Sequence, residues 1–176
     1  MLLISGSTRT ASSNSALLRT AVAAAPAEIG AVLYEGLAAL PHFNPDDDRE
    51  PLPAAVAELR TAIAAADAVL FCTPEYAGTL PGSMKNLLDW TVGGTELSDK
   101  RVAWVNAAAD GRRGAGAMAT LATVLGYVQA SVVENACRHV PVPIGAIGDD
   151  GLIADKATRT AIADVLTALT HHLPSR

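Results

Sequence analysis

The segment Gly6-Ser7-Thr8-Arg9-Thr10-Ala11-Ser12-Ser13-Asn14 concentrates hydroxyls, one amide and one guanidinium between an apolar run and a stretch with helical spacing. The first turn of a helix presents unpaired N–H groups and a partial positive charge. Ser7, Thr8, Ser12, Ser13 and Asn14 add side-chain donors, and Arg9 adds a permanent cation whose planar fork matches phosphate oxygens. Together these are the parts of a phosphate cradle. The same residues also suit an ordinary capped helix, with Ser12 or Asn14 as N-cap and Arg9 in solvent; the segment alone does not choose. It does exclude other sites. There is no GxxxxGK[ST] and no GxGxxG, so neither a triphosphatase P-loop nor a dinucleotide fingerprint is present. No GxSxG elbow marks a hydrolase nucleophile.

Two further segments follow apolar strands. In TPEYAGTLPGSMKNLLDW, Pro74, Gly78, Pro81 and Gly82 impose an irregular path that leaves peptide groups free to face a planar heterocycle, and Tyr76 offers an aromatic rim. Pro74 and Pro81 also read as simple punctuation before a helix. Met84, Leu87, Leu88 and Trp90 read as core or interface packing, and Lys85 with Asp89 as an i, i+4 ion pair without catalytic work. In NAAADGRRGAG, small residues permit close approach of a ring; Arg112 and Arg113 suit either an anionic cosubstrate or solvent, and Asp110 suits a turn cap. His42, His139, His171 and His172 are scattered and adjoin no candidate nucleophile, which favours structural or solvated roles.

The elements that must position these loops alternate strand and helix. Unbroken apolar runs at Leu2–Gly6, Ala31–Tyr34, Ala68–Thr73 and Arg101–Ala108 predict buried parallel strands, with a fifth expected over Ala136–Val142. Helical spacing predicts helices over Ser15–Ala25, Ala54–Ala65, Ser83–Thr91, Ala115–Tyr127 and Asp155–His172. This is an α/β pattern, a doubly wound five-stranded parallel sheet of order 2-1-3-4-5 with helices on both faces and one domain over residues 1–176. In that order the loops after strands one, three and four share the carboxyl edge, where ligands bind. The PHFNPDDD loop lacks calcium-ligand spacing and is expected to be a solvated acidic loop.

Composition narrows the partners. The chain carries 13 Lys and Arg against 18 Asp and Glu, a net charge of −5, with no basic run; nucleic-acid binding is not expected. No apolar stretch reaches the ~20 residues that cross a bilayer, and the N-terminus lacks a secretory pattern. Cys72 and Cys137 are far apart and outside any CxxC, which points to free thiols in a reducing cytoplasm; Cys72, inside VLFC, is expected to be buried packing. No metal site is expected.

Gly6-Ser7-Thr8-Arg9-Thr10-Ala11-Ser12-Ser13-Asn14 resembles G-S-x-R-x-x-S-x-N, and Pro74 to Trp90 resembles P-E-Y-N-x-x-x-P-G-x-L-K-N-x-x-D-W. Both are signatures of the flavodoxin-like NAD(P)H-dependent FMN reductases, the quinone, chromate and azo-type reductases. Leu40–Asp46 and the IGDDGLIAD stretch extend the likeness over nearly the whole chain. The resemblance implies a flavodoxin-like fold, FMN as cofactor and NAD(P)H as cosubstrate, with hydride passing through flavin N5 to a quinone-like or other small acceptor, or to free flavin. One surface would serve donor and acceptor in turn, so ping-pong kinetics are expected and no catalytic side chain is required. By position, Ser7, Arg9, Ser12 and Asn14, with Ser13 between them, would hold the FMN phosphate. Pro74, Glu75, Tyr76, Ala77 and Gly78 would line the isoalloxazine, largely through backbone. Ala109, Asp110 and Gly111 would cover its other edge. A homodimer or homotetramer is implied, with Met84–Thr91 and Ala115–Tyr127 near the interface. Ala77 departs from the usual asparagine, and Asp110, Arg112 and Arg113 stand where Ser and Gly are common. The competing readings are a flavodoxin-type electron carrier, whose T-x-T-G-x-T loop is absent, and a flavin-free regulatory domain on the same fold. A cysteine phosphatase fits poorly, because no arginine follows Cys72 at the expected position.

Overall fold

The computed structural model describes residues 1–171. Its centre is a parallel sheet in which β1 (Leu2–Ser5) lies between β2 (Val32–Tyr34) and β3 (Ala68–Cys72), with β4 (Arg101–Asn106) beyond β3. The far edge of β4 is occupied by two short pieces, β5 (Ser131–Val132) and β6 (Arg138–His139), each pairing with a different part of it. The order β2-β1-β3-β4-β5 is the expected one. The fifth strand differs from expectation: the single run over Ala136–Val142 is replaced by two pairs separated by a 3-10 turn at Glu134–Ala136. Pro141 and Pro143 have no N–H for a ladder, so pairing beyond β6 reduces to isolated bonds, Val140 N–H to Asn106 O and Val142 N–H to Ala107 O.

Alternation along the strands sorts side chains to two cores. Leu3, Leu70, Cys72 and Val105 face α1 (Ser13–Ala24) and α5 (Lys156–Thr170). Leu2, Ile4, Val69 and Phe71 face α2 (Ala54–Ala65), α3 (Gly82–Asp89) and α4 (Ala115–Tyr127). Strands buried on both faces explain the continuous apolar runs. The last helix ends earlier than expected, and His172 lies outside the described residues. Met84, Leu87, Leu88 and Trp90 are fully buried within the chain, so they are core and not interface.

The long segment after β2 is pinned to α3. Asn86 accepts from Phe43 N–H and donates to Pro41 O, both at 2.8 Å, and the Trp90 indole N–H donates to the same carbonyl. Phe43 meets the Trp90 ring edge-on, centroids 5.0 Å apart. The acidic loop is only partly solvated as expected. Asp46 and Asp47 are exposed, but Asp48 is paired with Arg60 at 2.6 Å, the two side chains 11% and 12% exposed. Arg60 also donates to Trp90 O, which holds its guanidinium where it neutralises Asp48. No described helix is long and apolar enough to cross a membrane.

Candidate functional site

Three loops leave the carboxyl ends of β1, β3 and β4 and meet at one edge. The first two touch: Gly6 N–H donates to Cys72 O at 2.8 Å, and Ser83 Oγ donates to Gly6 O at 3.0 Å. A Cβ on Gly6 would stand 2.1 Å from Thr73 Oγ1, so only glycine permits this approach.

Beyond Gly6 the chain turns into α1 with Ser12 as N-cap, its Oγ accepting from Ser15 N–H at 3.4 Å. Ser7 Oγ accepts from Arg9 N–H at 3.3 Å, and Ser7 N–H donates to Ser5 Oγ. A hydroxyl that accepts a backbone proton keeps its own O–H as a donor. Among the described residues, the backbone N–H groups of Thr8, Thr10, Ala11, Ser12, Ser13 and Asn14 find no intramolecular acceptor. Arg9 is exposed and forms no ion pair among the described residues. The loop is therefore a set of donors without a matching acceptor.

Asn14 is turned inward. Its Oδ1 accepts from the buried Cys72 thiol at 3.2 Å, while the residue lines the cleft above. Burial pushes the Cys72 thiol far above its ordinary range, so it stays protonated and packs as an apolar group, as its place in VLFC suggests.

The β3 loop makes a tight reversal. Tyr76 N–H donates to Thr79 O at 3.0 Å and Thr79 N–H to Tyr76 O at 3.1 Å. Ala77 and Gly78 both have positive φ, 51° and 76°, the pattern of a type I′ turn. Asn and Gly are the favoured residues there, which gives the Asn-to-Ala departure at position 77 a backbone meaning as well. The Glu75 side chain reaches across to α4: its Oε2 accepts from Gly116 N–H at 2.7 Å and Ala117 N–H at 3.2 Å. It thereby caps α4, whose own N-cap, Gly114, has no side chain to do so. Thr79 and Thr120 share a hydroxyl bond at 2.8 Å, and a Cβ on Gly116 would lie 2.1 Å from Gly78 O. The turn is thus docked against α4. The N–H groups of Glu75, Ala77 and Gly78 have no intramolecular acceptor among the described residues.

The β4 loop is organised by Asn106, which is 8% exposed. Its Oδ1 accepts from Ala108 N–H at 3.0 Å and its Nδ2 donates to Arg113 O at 2.7 Å. Gly114, at φ 91°, passes so close that a Cβ would strike the Asn106 amide. Asp110 caps its own turn, accepting from Arg112 N–H at 3.0 Å, and the exposed Arg112 side chain leans toward it at 3.8 Å. His139 bonds Ala108 O through Nε2 at 2.6 Å, a structural contact.

Between the loops lies a cleft of about 300 Å³ that brings Ser13, Asn14, Pro74 and Glu75 together with Asn106 and Arg113. It adjoins a larger cleft of about 650 Å³ bordered by Arg9, Ala109, Asp110 and the 142–147 segment, with Ser13, Ala108 and Arg113 common to both. Ser7 opens instead on a smaller hollow of about 190 Å³ toward β2, beside Thr8 and Tyr34. Tyr76, Ala77 and Gly78 are exposed and line neither cleft, nor does Gly111, which lies near His139. The roles of Asn106 and of the Glu75 cap were not legible from residue types; an asparagine ending a buried strand was the available signal for the first.

This architecture has known relatives. The model of the NADPH-dependent FMN reductases matches residues 1–141. An NAD(P)H-dependent FMN reductase of Pseudomonas aeruginosa is 41% identical over 90 residues, which cover 51% of this chain and 48% of that protein. An NADPH azoreductase of Bacillus sp. is 33% identical over 134 residues, 76% of this chain and 71% of its own. The match thus spans about half the length of the first of these relatives and a larger share of the second. Among solved structures, the flavoenzyme NAD(P)H:(acceptor) oxidoreductase FerB of Paracoccus denitrificans superposes with a TM-score of 0.74 at 25% identity, covering 97% of each chain. A flavodoxin-like sheet, a donor-rich first loop and a family match over most of the sequence agree, and the chain belongs to the NADPH-dependent FMN reductase family.

Proposed function

We propose that this chain binds FMN at the carboxyl edge of its sheet and uses NAD(P)H to reduce small, flat acceptors such as quinones or azo compounds. The observation that carries this reading is the set of backbone N–H groups at Thr8 and from Thr10 to Asn14 that have no acceptor among the described residues, beside the Arg9 guanidinium, which forms no ion pair among them. Such a set costs free energy unless an anion or water satisfies it, and a dianionic phosphate monoester satisfies several donors at once. The residues present suit FMN in a second respect. The N–H groups of Glu75, Ala77 and Gly78, which have no acceptor among the described residues, can serve the ring's carbonyl and nitrogen acceptors, and Asn14 and Asn106 border the cleft beside Glu75.

Bound FMN supplies two-electron chemistry that none of these side chains offers. The chain contributes binding and orientation. Ser7, Arg9, Ser12 and Ser13 hold the phosphate, with Asn14 beneath. Pro74 to Gly78 support one edge of the ring, while Ala109, Asp110 and Gly111 limit the other. The buried Cys72 thiol takes no part as a nucleophile. The two thiols, both held protonated by burial, fit a reducing cytoplasm. The exposed Val92 and Tyr127, at the ends of α3 and α4, fit a homodimer or homotetramer joined across those helices.

The test is optical. The purified protein should show flavin absorbance, or acquire it with FMN, and should bleach anaerobically with NADPH or NADH without any partner protein. A quinone should then restore the colour, with parallel lines in steady-state plots. Failure to take up FMN at millimolar excess would refute the reading.

A further inference from the structure

The larger of the two clefts has a composition that FMN binding leaves unexplained. One wall is apolar, formed by Val142, Pro143, Ile144 and Ile147, with Ile144 standing 99% exposed. The same cleft is bordered by Arg113, which also borders the smaller one. Its neighbour in sequence behaves differently. Arg112 turns outward, 95% exposed, and shares the Asp110 carboxylate. Arg113 has no acidic partner among the described residues, yet its backbone is fixed at both ends, N–H to Asp110 O and C=O to Asn106 Nδ2. The other charged groups bordering the cleft are Arg9, assigned above to a phosphate, and Asp110, already engaged by Arg112. A guanidinium on an anchored backbone, in one cleft with apolar residues and shared with the smaller cleft, suits a ligand that is flat at one end and anionic at the other.

We propose that this cleft is a second-substrate site selective for flat compounds bearing an anionic substituent, a sulfonate, carboxylate or phosphate, and that Arg113 is its specificity-determining residue. The proposal rests on the reductase reading for the identity of the smaller cleft, but not for its own test. The anion can belong to the acceptor or to the nicotinamide nucleotide, and the two sources are separable.

Binding comes first. Calorimetric titration of the purified protein, with FMN added and without it, against 2-naphthalenesulfonate and neutral 2-naphthol gives an affinity ratio without turnover. Arg113→Gln should lower that ratio about five-fold, a partly exposed charge contact being of that order. Arg113→Lys should restore part of it, and Arg112→Gln should leave it unmoved. Raising salt should weaken the sulfonate and not the naphthol. In turnover, the kcat/KM ratio of 1,4-naphthoquinone-2-sulfonate to 1,4-naphthoquinone should fall in Arg113→Gln if the acceptor supplies the anion. The ratio of NADPH to NADH should fall if the nucleotide does. Either fall supports the site. Binding and turnover ratios that are all unchanged in Arg113→Gln, or that move equally in Arg112→Gln, would overturn it. If neither quinone is reduced by wild-type protein, the reductase reading fails while the titration still decides the cleft.

Discussion

Replacing Ala77 tests whether the β3 loop is held as described. Ala77 is exposed, at φ 51°, with Gly78 next to it at φ 76°. A Cβ in the left-handed region costs an ordinary L-residue roughly 1–2 kcal/mol, and asparagine tolerates that region best after glycine. Ala77→Asn should therefore stabilise the protein by about 0.5–1 kcal/mol, since no packing is lost at an exposed position. Ala77→Gly removes all of that strain but gives back about 0.4–1 kcal/mol through a freer unfolded chain, so it should also lie above the parent, by roughly 0.5–1 kcal/mol. Ala77→Val, β-branched at positive φ, should cost more than about 1 kcal/mol. For a chain of this size 1 kcal/mol moves Tm by about 2–4 °C. Circular-dichroism melts of the flavin-free forms should place Asn and Gly above Ala, and Val last. A valine variant as stable as the parent, or an asparagine variant less stable, would show that the positive φ is not a constraint of the folded state.

Arg9→Ala should weaken FMN binding by ten-fold or more, a charge-assisted contact being worth about 1.5–3 kcal/mol, while the flavin-free melt moves by under ~0.5 kcal/mol because Arg9 is exposed and touches no core; flavin fluorescence quenching and calorimetry read the two effects separately. Glu75→Ala should destabilise by about 1–2 kcal/mol through the uncapped α4, with Glu75→Gln recovering much of it, as denaturant midpoints will report. Asn106→Ala should loosen the β4 loop, costing about 1–3 kcal/mol and speeding amide exchange over 107–113 in hydrogen-exchange mass spectrometry. The Thr158 N–H and hydroxyl hold the Asp155 carboxyl below its ordinary range, so its capping contribution is complete above the unfolded carboxylate pKa and lost as pH falls through the lower folded value; Asp155→Asn should flatten that acid limb in melts taken down to about pH 3.

The parts of the fold legible in the sequence are those fixed by burial. A strand covered on both faces must be apolar throughout, so Leu2–Ser5 and Ala68–Cys72 announced themselves, and α2 and α4 fell on their expected bounds because their apolar residues recur at helical spacing. The edge strand did not, because β5 and β6 have only one neighbour and are set by hydrogen bonds to β4 rather than by a buried apolar run. The same division holds at the site. The donors of the first loop were readable because hydroxyl, amide and guanidinium groups declare their chemistry. Contacts between distant residues were not: nothing in PEY says that the glutamate reaches α4, and nothing in KNLLDW says that Asn86 and Trp90 fasten a carbonyl 45 and 49 residues away.

Those long-range contacts change what the motif means. Glu75, Asn86, Trp90 and Asn106 spend their polar atoms on other parts of the chain, each fixing one of the loops that follow β2, β3 and β4. The donors these loops leave without an acceptor, among the described residues, are mostly backbone N–H groups, together with side chains of the first loop. Peptide groups cannot be substituted away, so a donor set of this kind tolerates side-chain change around it, provided the residues behind it hold the loops still. Position 77 illustrates the point: an alanine there keeps the reversal because Gly78, the Tyr76–Thr79 pair and the Thr79–Thr120 bond already define it. The path of the loop that carries Asp110, Arg112 and Arg113 is likewise set from behind, by Asn106 and Gly114, with Asp110 capping its own turn. The scaffold can thus hold its backbone donors in place while the exposed residues around the clefts change which second substrate they admit.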